Sequence, residues 1–135
     1  MPASALALQT AILDQLTANI SVIAALGAAR IHDHVPQPAV FPYMTFGQST
    51  LRDGDSSLAP ADDHTFTLHV WSRAAGRRET HIILDAVKAA LHDQNLTLSG
   101  HRLINLRHEF SQARRDADGE TVHGLIRFRA LTEPL

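Results

Sequence analysis

Apolar residues recur at helical spacing through the first part of the chain. Leu8, Ile12 and Leu16 repeat every four residues, and Leu13 and Ile20 widen the stripe. This predicts a helix from about Ser4 to Leu26, with Ser4 as its N-cap. Asn19 is placed to interrupt it and cap a short second helix, and Gly27 to take the left-handed position that ends it. Arg30 to Val35 reads as a short extended segment, stopped by Pro36, Pro38 and Pro42. Tyr43 to Ser49 alternates, with Met44 and Phe46 on one side and Thr45 on the other. Thr50 to Asp63 reads as a long polar connection holding Asp53, Gly54, Asp55, Ser56, Ser57, Pro60, Asp62 and Asp63. Loops of that length inside a compact domain are usually functional or mobile. Thr65 to Ser72 is a clear strand: Phe66, Leu68 and Val70 face one way, Thr67, His69 and Trp71 the other.

Gly76 to Asp93 is the strongest helix, with Ile83, Leu84, Val87 and Leu91 as its apolar face. His81, Asp85, Lys88 and His92 form its polar face. Two long strands follow. Ile104, Leu106 and Phe110 are expected to share one face of the first, and Val122, Ile126, Phe128 and Ala130 one face of the second. Asp116 to Gly119 between them reads as a hairpin turn, signalled by Asp118-Gly119. The order helix, strands, helix, long hairpin predicts an α+β fold: a mainly antiparallel sheet with two main helices on one face. The other face then carries Thr67, His69, Trp71, Asn105, Arg107, Glu109, His123, Leu125, Arg127 and Arg129. A solvated sheet face seldom needs a tryptophan, whereas tryptophan and arginine are enriched where protein surfaces meet. That face is therefore expected to meet a partner.

Composition narrows the classes. At 135 residues the chain is expected to form one domain. With 44% apolar and 19% charged residues it has the balance of a globular protein. The absence of cysteine removes disulfides, thiolate metal sites and cysteine nucleophiles. No apolar run reaches the roughly 18 residues of a membrane span, and Met1 to Leu8 has no basic region of a secretory signal, so no membrane partner is expected. A net charge of −2 argues against a dedicated nucleic-acid binder. Lys88 is the only lysine against eleven arginines, a choice that suits ion pairs between subunits or reflects codon usage alone.

Candidate chemistry is thin. His32 and His34 would share a strand face, as two ligands of a zinc-dependent hydrolase do, but a third ligand is not evident; His64 and Asp62 would serve only by assumption. His81 and His92 lie three turns apart on one helix, too far for one metal. Asp53, Asp55, Asp62 and Asp63 could bind a hard cation, yet Asp53-Gly54-Asp55 lacks the ligand spacing of a calcium loop. A solvated acidic loop, able to dock on a basic neighbour, is the simpler reading. No nucleophile elbow, phosphate loop or dinucleotide fingerprint is present. Arg77-Arg78 and Arg114-Arg115 are basic pairs with acidic residues beside them. A small DNA-binding module using Arg107, Arg127 and Arg129 is a further alternative, weakened by the negative net charge.

Arg30-Ile31-His32-Asp33-His34-Val35-Pro36-Gln37 followed by Phe41-Pro42-Tyr43-Met44-Thr45-Phe46-Gly47 resembles the tail terminator (tail completion, head–tail joining) proteins of long-tailed phages. The likeness is strongest to the version carried by gene transfer agents. Leu68-His69-Val70-Trp71-Ser72-Arg73, Gly100-His101-Arg102-Leu103 and Arg127-Phe128-Arg129-Ala130 continue it in order, so that it covers nearly the whole chain. The resemblance implies a structural protein without catalysis or cofactor. It implies a ring, usually hexameric, on the head-proximal end of a tail tube. There the ring stops tube polymerisation and joins the tail to the head connector, and double-stranded DNA passes through its lumen without sequence-specific binding. It also implies assembly in the bacterial cytoplasm and a final place at the head–tail junction of the particle. A ring of head-to-tail contacts needs two different complementary surfaces on each subunit. The face of His69, Trp71, Arg107, Arg127 and Arg129 is a candidate for one, and the acidic segment of Asp53, Asp55, Asp62 and Asp63 for the other. Alternatively, the arginines face the lumen.

Overall fold

Asn19 divides the N-terminal apolar stripe into two helices. In the computed structural model, which describes residues 3–54 and 60–135, α1 is Ser4–Ala18 and α2 is Ile20–Leu26. The Asn19 N–H closes α1 on the Leu16 carbonyl (3.2 Å), while its side-chain oxygen accepts the Val22 N–H (3.0 Å). One extended residue thus satisfies groups at two helix ends, and the axes bend by 77°. Gly27, at φ 86°, terminates α2 as expected. Ser4 is not the cap. Ala3 takes that position, and the Ser4 hydroxyl instead donates to Asp62 Oδ2 at 2.7 Å, pinning the start of α1 to the sheet.

The rest of the chain forms β1 (Ile31–His32), β2 (Tyr43–Asp53), β3 (Asp62–Ser72), α3 (Arg78–Leu91), β4 (Thr97–Leu98), β5 (His101–Arg115) and β6 (Val122–Pro134). These strands make a six-stranded sheet in the order β1-β2-β3-β6-β5-β4. All pairs are antiparallel except β1 with β2. The fold is α+β, with the helices packed on one sheet face. The polar connection is narrower than its composition suggests. β2 and β3 stay in register from Thr50↔Thr65 to Asp53↔Asp62, leaving only 54–61 between the strands. Of these, 55–59, including Asp55, lie outside the described residues. Cross-strand threonines and charged pairs suit a strand with one polar face, so polarity alone did not mark a loop here.

Beneath the helices, Met44, Phe66, Leu68, Val70, Ile126 and Phe128 meet Leu8, Ile12, Leu16, Val22, Ile83, Val87 and Leu91. Burying side chains of this size contributes about 1.5–3 kcal/mol each. On β5 the expected apolar face is corrected by two bulges, at Leu103/Asn105 and His108/Phe110. Each extra residue shifts the phase of the strand. Leu103 and Leu106 therefore face the core, while Ile104 (46%) and Phe110 (37%) are exposed. The β5–β6 turn forms as expected, with Gly119 at φ 74°. The Asp118 carboxylate accepts the N–H groups of Glu120 (2.9 Å) and Thr121 (2.8 Å) and the Thr121 hydroxyl (2.7 Å), and these bonds lower its pKa to about 2.

Gly124 on β6 lets α3 approach the sheet. A Cβ there would lie 2.7 Å from Thr80 Cγ2 and 3.2 Å from Val70 Cβ. Gly124→Ala is expected to lower the free energy of unfolding by about 1–3 kcal/mol through overpacking. Chemical denaturation checks this, and an unchanged midpoint contradicts it.

Candidate assembly surface

Strict alternation on β3 sends His64, Phe66, Leu68, Val70 and Ser72 toward the helices and Thr65, Thr67, His69 and Trp71 to the open face. Register then selects their neighbours: Tyr43 and His123 flank Trp71, while Thr45 and Leu125 flank His69. The result is an aromatic cluster. The Trp71 indole lies parallel to His123, with ring centroids 4.1 Å apart. His69 stacks on His123 at 4.8 Å. Trp71 Nε1–H donates to Thr45 Oγ1 at 3.0 Å. Tyr43 extends the row beside Trp71 (6.4 Å), Phe41 follows Tyr43 (5.0 Å), and the Arg73 guanidinium sits over Phe41 at 4.3 Å. Gly47, within the bulge between Phe46 and Ser49, leaves room for His69, because a Cβ there would come within 2.2 Å of its Nε2.

His69 Nδ1 and His123 Nε2 are 2.6 Å apart, so one ring donates and the other accepts a single proton. Burial lowers the pKa of both, and for His123 the proximity of His69 adds to it. Trp71 therefore has partners within its own chain, although it stays partly exposed.

The other half of the face is a set of compensated arginines. Arg107 stands directly opposite Arg129, a destabilising pairing unless each charge is answered. Arg129 Nε and Nη2 donate to Asp63 Oδ1 (3.0 Å) and Oδ2 (2.5 Å). That bidentate bond is the main cause holding the Asp63 carboxyl below its ordinary pKa. Arg127 Nε donates to Glu109 at 2.8 Å, with its guanidinium 5.1 Å from the Phe110 centroid. Arg107 lies 3.8 Å from Asp93. Pairs this exposed add little stability but fix where each guanidinium points.

The structure brings His69 and Trp71 together, and separately gathers Asp63, Arg107, Arg127 and Arg129 on the same face. The described acidic residues divide between the two sheet faces. Alternation directs Asp62 to Ser4 on the helix side and Asp63 to Arg129 on the open side, and Asp53 closes β2 opposite Asp62. His32 and His34 do not share a strand face, because β1 ends at His32. Among the described residues, no three His, Asp or Glu side chains converge as metal ligands would. His92 Nδ1 instead accepts the His108 N–H at 3.0 Å, while His81 is exposed. Phe41, Tyr43, Arg52 and Arg73 belong to the face but escaped the pattern reading. For Tyr43 a signal existed in the alternation with Met44.

Buried His64, whose Nε2 lies 2.9 Å from Thr132 Oγ1, also has a pKa lowered chiefly by burial. Histidines that fold in the neutral form lose stability when the unfolded chain takes up the proton, below the ordinary value of 6.5. Unfolding free energy is therefore expected to fall between pH 7.5 and 5.5, with a shallower fall in His64→Gln. A rise on acidification contradicts this.

The same fold recurs in solved structures. A chain from the virion of a native gene transfer agent (GTA) particle superposes with a TM-score of 0.89 at 29% identity, over 98% of this chain and 99% of that one. Bacteriophage SPP1 gp17 superposes with a TM-score of 0.60 at 23% identity, over 94% and 89% of the two chains, a likeness of fold. No curated protein matches the sequence. The family model described as "Tail completion protein gp17" matches residues 10–133, from α1 to β6. The chain belongs to the tail completion protein gp17 family.

Proposed function

We propose that this chain works as a single structural domain that assembles into a hexameric ring on the head-proximal end of a phage-like tail tube. The ring stops tube polymerisation and presents a surface to the head–tail connector, and double-stranded DNA passes through its lumen without sequence-specific contact. Its subunits collect in the bacterial cytoplasm and end at the head–tail junction. The role needs neither catalysis nor a cofactor. The observation that carries this reading is the near end-to-end superposition on a chain of a gene transfer agent virion, within a family defined by tail completion. The open sheet face supports it: aromatic rings and fixed guanidinium groups are the side chains that anchor protein contacts.

Polymerising tail tube protein supplies the test. Added at the start, this chain is expected to cap tubes and shorten their length distribution in electron micrographs; tubes of unchanged length and uncapped ends overturn the reading. Trp71→Ala is expected to keep the circular dichroism spectrum while weakening capping at least tenfold in the concentration required. Equal capping by that variant removes the open face from the contact.

A further inference from the structure

Among the described residues, two stretches of strand edge have no neighbouring strand. β1 pairs with the outer edge of β2 at Met44 and Thr45, and no described strand pairs that edge from Ser49 to Arg52. The outer edge of β5 is covered by β4 at His101 and Arg102. The end of α3 continues the cover, since Asp93 N–H donates to the Leu106 carbonyl and His108 N–H to His92. Beyond the second bulge nothing described pairs with Ser111 to Arg115 from outside. Unpaired edges are liabilities that proteins either shield or use.

The two edges match in hydrogen-bond phase and in face. The Met44 N–H bonds outward to Arg30 and the β2 bulge shifts the phase, so the outward backbone groups are those of Ser49 and Leu51, with Thr50 and Arg52 bonded to β3. On β5 the outward groups of Leu106 and His108 fix the phase before the bulge, and those of Ser111 and Ala113 after it. Ser49, Leu51, Ser111 and Ala113 all lie on the helix side. Thr50, Arg52, Phe110 and Gln112 all lie on the open side. An antiparallel pairing of Leu51 with Ser111 and Ser49 with Ala113 therefore satisfies both alternations at once.

We propose that a second copy of this chain lays its Phe110–Ala113 edge antiparallel against Ser49–Arg52, so that each ring contact continues the sheet from one subunit into the next. This rests on the ring reading above. Charge and shape favour that occupant. Arg52 of one copy comes beside Phe110 and the Glu109 carboxylate of the other, the same combination that Arg127 already uses within the chain. Leu51, 48% exposed beside an apolar slot lined by Leu8, Ile12, Phe46 and Phe66, is covered by the small side chains of Ser111 and Ala113. The contact is head-to-tail, as a cyclic ring requires. The stagger also fits closure. Ser111 stands level with Phe46 of its own sheet, through Ile126 and Leu68, and so four ladder positions from Leu51, which stands level with His64 because the β2 bulge takes up one residue. Four positions, roughly 14 Å of strand, over four strand spacings of about 4.8 Å each tilt the strands by about 35°, at the lower end of the range of closed barrels.

The chain has no cysteine, which makes the test clean. Thr50 and Gln112 of neighbouring copies form a non-hydrogen-bonded pair in this register, with Cα atoms about 4.5 Å apart, close enough for a disulfide. Thr50→Cys/Gln112→Cys, concentrated with tail tube protein and then oxidised, is expected to run as a ladder of covalent oligomers on a denaturing gel. A mixture of the two single variants is expected to stop at dimers, and each single variant alone to remain monomeric. Ala113→Pro, which removes an outward N–H, is expected to abolish oligomers while keeping its circular dichroism spectrum. Rings that assemble by light scattering yet give no ladder overturn the edge pairing and leave the ring intact. A chain that neither assembles nor cross-links overturns both.

Discussion

Everything in this fold is referred to β3, which pairs with β6 along its full length on one side and with β2 along most of it on the other. A strand held on both edges cannot slip by one residue without turning Phe66, Leu68 and Val70 out to water and Trp71 into the core. That constraint fixes two faces. The helix face buries the apolar rows and closes under α1, α2 and α3. The open face receives whatever the alternation leaves: the histidine–tryptophan stack toward one end of β3 and the arginine–carboxylate pairs toward the other.

What was legible in the sequence was local or strictly periodic. Asn19 and Gly27 act on backbone groups within a few residues of themselves, so their roles could be read directly. The alternation of β3 and β6 placed His69, Trp71, Arg127 and Arg129 on one face correctly, and the apolar stripe of α3 identified its buried side. The role of Ser4 is not legible locally because its partner, Asp62, lies 58 residues away. On β5, Leu106 and Arg107 take the faces their spacing predicts, but Ile104 and Phe110 do not, because the bulges answer to β6 and no pattern within β5 alone announces them. The ends of the acidic segment read as connection because polar residues suit a loop and a strand with one solvated face equally well. In the fold, Asp62 and Asp63 are strand residues aimed at opposite faces. Phe41 and Arg73 joined the aromatic row from irregular segments, which have no period to read.

An assembly protein has to be stable alone and still offer surface to its neighbours. Here the two demands fall on different parts of the sheet. Its centre is fully paired, and the helix face carries the apolar core. On the open face Arg127 and Arg129 are bonded to carboxylates of the same chain, so these guanidinium groups are oriented before any partner arrives and less entropy is lost on contact. The diagonal strand edges are where the ladder stops within one copy, and bulges on both β2 and β5 set the phase in which another copy would continue it. In this view the bulges that defeat the periodic reading of β5 are part of the assembly mechanism.

Image reconstruction of the head–tail junction in assembled particles tests this account most directly. It predicts a closed ring of this chain above the last tube layer, with the β2 edge of each subunit in hydrogen-bonding register with β5 of the next. A junction that lacks the chain, or that holds it with both strand edges facing solvent, contradicts it.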